Sequence, residues 1–74
     1  MSIENILWKE EIILIFENIQ EICNGKGITI AELERKAGLK NGAIGKWKTS
    51  SPTIKNLQAV SKVLKVSISR LIAN

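Results

Sequence analysis

The sequence predicts an all-α fold, a compact bundle of five helices. Apolar residues recur at steps of three and four along most of the chain, which is the spacing of one face of an α-helix. No segment alternates strictly between apolar and polar residues, as a half-buried strand would. Glycine, proline or a Ser/Thr start signal bounds each periodic segment. With 74 residues, the chain has room for one domain.

The first bundle helix is predicted from an apolar face, and Asn24–Gly27 ends it because glycine favours the left-handed cap conformation. That face consists of Ile12, Ile15, Phe16, Ile19, Ile22 and Cys23. Residues 1–11 form a separate apolar stripe of Ile3, Ile6 and Leu7, which indicates an extra turn or two, or a separate short helix. We therefore divide the chain into an N-terminal helical extension, 1–14, and a domain, 15–74.

Two short helices follow. Thr29, with Glu32 three residues later, is a capping box that begins a helix ending at Gly38. The next helix is expected at about 41–48, with Ile44 and Trp47 pointing inward. A tight glycine turn between two short helices is typical of a helix-turn-helix, whose second helix enters the major groove of DNA.

The last two helices complete the predicted bundle. Pro52 breaks the chain, and Thr53 can cap a fourth helix whose apolar stripe is Ile54, Leu57, Val60 and Leu64. Val66 and Ser67 form a short connection to a final helix at 68–73, which carries Leu71 and Ile72.

Charge is divided unevenly along the chain. Residues 1–34 contain seven glutamates against Lys9 and Lys26, whereas residues 35–74 contain nine lysines and arginines and no acidic residue. A half-domain this basic repels itself unless it lies near a polyanion, so nucleic acid is the first candidate partner. The alternative is a merely soluble surface.

Composition argues against several other classes of protein. No apolar stretch is long enough to cross a bilayer, and residues 2–5 lack the basic start of a secretory signal. The single Cys23 fits a reducing cytoplasm and is expected in the core. Without histidine, a metal site or a His-dependent active site is not expected, and the glutamates form no catalytic pair. We therefore expect no enzyme, cofactor, membrane or small-molecule substrate, and a cytoplasmic location.

Several fragments in order resemble the Cro/repressor-type, XRE or lambda-repressor-like, DNA-binding domain. The fragments are GITIAEL at 27–33, GL at 38–39, NGAI at 41–44, KWK at 46–48, SPT at 51–53, LQ at 57–58 and LKVS at 64–67. The similarity covers about residues 15–74. It implies a compact five-helix bundle and binding to operator-like double-stranded DNA as a homodimer, commonly in phage or bacterial gene control.

The resemblance also implies which residues touch DNA. Its base-reading positions fall on Lys40, Asn41, Gly42 and Lys46, and Ala43 faces outward beside them. Lysine can donate to guanine and asparagine can pair with adenine, although Asn41 could equally cap its helix. Backbone contacts are expected from Thr29, Ile30, Lys48, Ser50, Ser51 and Thr53.

Several positions depart from the family pattern, among them Glu34 and Lys40. Glu34 stands where a small residue is frequent, at the close approach of the two helices. Lys40 replaces the usual Ser or Thr at the start of the recognition helix, so the cap of that helix must come from elsewhere.

The leading hypothesis is a sequence-specific transcriptional regulator, repressor or activator. The alternative is a protein-interaction module that reuses the fold, such as an antitoxin or anti-repressor partner. The apolar N-terminal segment is expected to form a dimer interface. It could instead fold back with Trp8 as a lid over the core, and the final helix is a rival dimer surface.

Overall fold

A computed structural model describes the backbone of residues 2–73 and the side chains of residues 13–73. The described chain is all helical, as predicted, and no strand occurs within residues 2–73. It contains four α-helices and one 3-10 helix, so the expected count of five α-helices is not confirmed. The elements are α1 (Ser2–Lys26), α2 (Ile30–Ala37), the 3-10 helix (Ile44–Lys48), α3 (Ile54–Leu64) and α4 (Ile68–Ile72).

The first helix is a single continuous rod. At about 1.5 Å per residue, its 25 residues account for the longest dimension of the molecule, 39 Å. α1 crosses the predicted boundary at residue 14 without a break, so residues 2–11 form extra turns of the first helix and not a separate short helix. The division into an extension and a domain stays a prediction. The interpretations of Ile3, Ile6, Leu7, Trp8 and Ile12 concern side chains outside the described part of the structure.

Helix ends follow the local signals in the sequence. The Thr29 hydroxyl accepts a hydrogen bond from the Glu32 amide at 3.0 Å, and the Thr53 hydroxyl accepts one from the Asn56 amide at 3.1 Å. Gly38 ends α2 in the left-handed conformation, with φ 75°. Ser67 begins α4 in the same way as the two threonines, through the Arg70 amide. The predicted starts of α2 and α3 and the predicted end of α2 are therefore confirmed.

The core is assembled from one face of every element. The buried apolar residues are Ile15, Ile19, Cys23, Leu33, Ile44, Trp47, Leu57, Val60, Leu64 and Leu71. Burial raises the pKa of the Cys23 thiol, which keeps it protonated as a small core hydrophobe. Ile54 was expected in the α3 stripe, but it is 63% exposed. That expectation is wrong: Ile54 fits the helical period, but at the first residue of α3 no neighbouring element buries its side chain.

A buried asparagine attaches the end of the chain to α1. The Asn18 side-chain amide donates to the carbonyl oxygens of Leu71, at 2.8 Å, and Ala73, at 2.7 Å. These carbonyls lie at the end of α4, where the helix supplies no partner of its own. The bonds hold α4 against α1. Of the helices described, none combines the length and apolar character that a membrane span requires.

Candidate nucleic-acid interface

A glycine turn connects α2 to the 3-10 helix. The amide of Leu39 donates to the backbone oxygen of Glu34 at 2.8 Å, and the Gly38 amide shares that acceptor. A second turn follows at once, because the Ala43 amide donates to the Lys40 oxygen at 3.0 Å. Gly42 takes φ 89° in this turn, a conformation that residues with a Cβ rarely adopt.

The predicted helix at 41–48 is therefore shorter than expected. Residues 41–43 form a turn, and only Ile44–Lys48 are helical, in the tighter 3-10 form. Gly42 cannot continue a right-handed helix at its positive φ, and Gly45 adds little helix propensity. The inward residues are nevertheless as predicted, since Ile44 is fully buried and Trp47 is 5% exposed.

The Glu34 side chain supplies the missing cap. Its carboxylate accepts hydrogen bonds from the amides of Gly42 and Ile44, both at 2.9 Å. Glu34 is only 3% exposed. It occupies the place where the resemblance expected a small residue, and it attaches α2 directly to the start of the 3-10 helix.

A shallow groove lies beside this 3-10 helix and brings together most of the predicted contact residues. It is lined by segments 38–41, 46–47 and 50–53, by Ala43, and by Asn56 of α3. Seven predicted DNA-contact residues are among them: Lys40, Asn41, Ala43, Lys46, Ser50, Ser51 and Thr53. Ala43 is half-buried and the other six are exposed.

The groove carries positive charge. Its lining includes Lys40 and Lys46 and no acidic side chain. The ion pairs found among the described side chains lie on other faces: Glu32 with Lys36 at 3.8 Å and Glu21 with Arg70 at 3.5 Å. The same part of the chain holds no group of His, Cys, Asp and Glu side chains that could bind a metal ion.

Comparison with known families identifies the class of protein. A family model described as Helix-turn-helix matches residues 19–71, most of the chain. The chain belongs to the helix-turn-helix family of the Cro/repressor type. This is a family of DNA-binding regulators. Neither a curated protein nor a solved structure matches the chain.

Four predicted contacts of this helix-turn-helix domain lie outside the groove lining. Gly42 is exposed in the turn beside the groove, and Thr29 is exposed at the start of α2. The Ile30 side chain is half-buried and packs against the core. The Lys48 ammonium lies 4.9 Å from the centre of the Phe16 ring, a cation–π contact with α1.

Sequence reasoning missed two residues of this helix-turn-helix surface. Asn56 lines the groove from the first turn of α3, beside Thr53. Glu34 had a detectable signal, because Ile30, Leu33, Glu34 and Ala37 are spaced as one inward face of α2. A glutamate on that face needs a polar partner, and the glycine-rich turn next to it has unpaired amides to offer.

Gly42 in the turn at 41–43 and Gly45 in the 3-10 helix provide a matched pair of variants. Gly42→Ala is expected to destabilise the domain by about 1–2 kcal/mol, because alanine is strained at positive φ. Gly45→Ala, at a position without positive φ and with no heavy atom within 4 Å of a new Cβ, is expected to stabilise by about 0.4–1 kcal/mol. Urea unfolding followed by circular dichroism measures both. Equal stability of the Gly42→Ala protein and the wild type would contradict the left-handed turn.

Proposed function

We propose that this protein is a sequence-specific transcriptional regulator that binds operator DNA as a homodimer, with the 41–48 segment in the major groove. One observation carries the proposal: the groove gathers seven predicted contact residues on the acid-free half of a helix-turn-helix domain. Two lysines, an asparagine and three hydroxyl side chains there are the groups that bind base edges and phosphates.

Base readout is assigned to the turn and the 3-10 helix. Lys40 and Lys46 can each donate to guanine O6 or N7, and Asn41 can make two hydrogen bonds to adenine. All three side chains are exposed. Gly42 and Ala43 leave space between them, which allows the backbone to approach the bases closely.

Phosphate contacts are assigned to the loop before α3 and to two helix starts. Ser50, Ser51 and Thr53 carry hydroxyl groups, and Thr53 can donate its proton although its oxygen already accepts the Asn56 amide. Backbone amides at the start of α2, near Thr29 and Ile30, can donate hydrogen bonds to a second phosphate. Lys48 can reach a third from its position over Phe16, where it remains exposed.

Base preference is the direct test of this assignment. Lys46→Ala and Asn41→Ala are each expected to weaken binding to the preferred duplex by about 1–3 kcal/mol and to relax the preference at one base pair. The preferred duplex comes from sequencing DNA enriched by the protein from a random pool. A full set of single-base variants of that duplex then measures the preference of each protein.

Two lysine variants are controls for that experiment. Lys62→Ala removes the same charge from an exposed position on α3 outside the groove lining, and should leave the preference unchanged. Lys48→Ala should weaken all duplexes about equally, as loss of a phosphate contact does. An unaltered base preference in Lys46→Ala would exclude 41–48 as the recognition segment. Failure to enrich any sequence would favour the protein-interaction alternative.

The dimer is assigned to the N-terminal half of α1. Ile13, on the described part of that helix, is 43% exposed and lies off the buried stripe of Ile15, Ile19 and Cys23. Two recognition segments related by a two-fold axis would face half-sites about one DNA turn, 34 Å, apart. The rival surface is α4, where Ile72 is 50% exposed.

A negative charge introduced on α1 or on α4 shows which of the two surfaces forms the dimer interface. Ile13→Glu is expected to convert the dimer to a monomer in analytical ultracentrifugation, because a carboxylate cannot be buried unpaired in an interface. Ile72→Glu, the matched change on α4, should leave the dimer intact. Loss of the dimer in Ile72→Glu alone would move the interface to α4.

A further inference from the structure

Glu34 of α2 is hydrogen-bonded to both ends of the segment 39–44, which we call the recognition turn. The backbone oxygen of Glu34 accepts the Leu39 amide at 2.8 Å, where the turn begins. Its carboxylate accepts the amides of Gly42 and Ile44, both at 2.9 Å, where the turn passes into the 3-10 helix. Both ends of the segment 39–44 are thus attached to the same α-helical residue.

Other contacts fix the turn only in part: the Ala43 amide donates to the Lys40 oxygen at 3.0 Å, and Leu39 and Ile44 pack in the core. Gly42 can adopt many backbone conformations, and the 3-10 helix has no side-chain cap from the residue that precedes it. Lys40 and Asn41 lie inside the segment that Glu34 attaches at both ends, and both are exposed. The direction in which these side chains leave the surface therefore depends on the carboxylate.

The burial of Glu34 points to the same role. A carboxylate that is 3% exposed loses its hydration, and among the described residues Glu34 has no salt-bridge partner. The two amides are what compensate its charge, through short, charge-assisted hydrogen bonds. Neither amide can move away without leaving the buried carboxylate short of a partner, so the turn is held in one geometry.

We propose that Glu34 is a positioning residue for DNA recognition: its buried carboxylate fixes the 39–44 turn in the geometry that presents Lys40, Asn41 and Lys46 to base edges. This inference rests on the proposed function. It predicts that removing this negative charge changes DNA affinity in the direction opposite to the usual one. Neutralising an acidic residue near a polyanion ordinarily strengthens binding. Neutralising Glu34 weakens it, because the recognition side chains lose their fixed orientation.

The test compares Glu34→Gln with Glu32→Gln in the full chain. Glu32 lies on the same helix and loses the same charge, but its carboxylate pairs with Lys36 instead of the turn. Without DNA, amide hydrogen exchange followed by NMR should show protection at Gly42 and Ile44 falling about tenfold or more in Glu34→Gln. Protection of the buried core residue Leu64 should change much less, and Glu32→Gln should resemble the wild type.

The second readout is the dissociation constant for the preferred duplex at one fixed salt concentration. Glu34→Gln should bind about tenfold more weakly or worse, and Glu32→Gln as tightly as the wild type or more tightly. Tighter binding by both variants would overturn the proposal. An equal loss of protection at Leu64 and at the turn would also overturn it, because Glu34 would then support only the fold.

The exchange measurement also separates this proposal from the function on which it rests. A wild-type protein that binds no duplex would contradict the proposed function, while the protection of Gly42 and Ile44 would still show whether Glu34 fixes the turn. If the Glu34→Gln protein does not fold, amide hydrogen exchange in the wild-type protein tests the proposal. Amides of Gly42 and Ile44 that exchange as rapidly as those of an unstructured peptide would overturn the proposal.

Discussion

Truncation of Trp47 to alanine is expected to destabilise the domain by about 3–5 kcal/mol, the largest effect of any single substitution considered for this chain. The indole is 5% exposed and belongs to the core that α1, α2 and α3 share with the 3-10 helix. A domain of this size has a free energy of unfolding of only about 4–11 kcal/mol. The substitution should therefore remove between about a quarter and all of the free energy of unfolding.

Urea unfolding followed by far-ultraviolet circular dichroism measures this loss. Lys46→Ala is the matched control, because Lys46 precedes Trp47 in the 3-10 helix but is exposed, and its loss should change stability by less than about 0.5 kcal/mol. Trp47 also lines the groove, so a role in stacking on a base is the competing interpretation. A normally stable Trp47→Ala protein that had lost only DNA binding would support stacking and contradict the core role.

The parts of the fold that were predictable from sequence depend on neighbouring residues. Thr29 and Thr53 cap the helices that follow them, and Gly38 ends α2, because each acts through amides or a backbone angle within a few residues. The spacing of apolar residues located most of the core for the same reason. These signals are local, and packing did not override them.

The errors come from interactions between distant elements. The asparagine at position 18 bonds to carbonyls more than 50 residues away, so the sequence could not show its partner. Glu34 caps the start of the 3-10 helix through the amides of Gly42 and Ile44, a contact between two elements that no signal within residues 41–48 could show. Ile54 fits the helical period of α3 but is 63% exposed. Periodicity indicates a face without showing where the neighbouring elements end.

For the candidate site, the sequence predicted which residues lie together but not what each lysine contacts. The acid-free half and the order of the motifs led to seven predicted contact residues that line one groove. The sequence did not show that Lys48 would lie over Phe16, because that contact joins α1 to the 3-10 helix. Charge identifies a binding half, whereas the partition of its lysines among phosphate, base and protein depends on packing.

Binding to DNA is expected to weaken steeply as salt is raised. If each subunit neutralises about four to six phosphates, log K should fall against log salt with a slope of about −0.9 per phosphate. A dimer that makes about eight to twelve such contacts would lose at least about 10³-fold in affinity between 50 and 200 mM salt. Fluorescence anisotropy of a labelled duplex, titrated at several salt concentrations, measures the slope directly.

Variants of two lysines show whether the slope arises at the proposed surface. Lys48→Ala should make the slope shallower by about one for each subunit, because one phosphate contact is lost. Lys62→Ala should leave it unchanged, since that lysine lies on α3 outside the groove lining. An equal change in both variants would mean that the basic half attracts DNA as a diffuse charge, without a fixed docking surface. A slope near zero in the wild type would contradict nucleic-acid binding altogether, because neutralised phosphates must release their counterions.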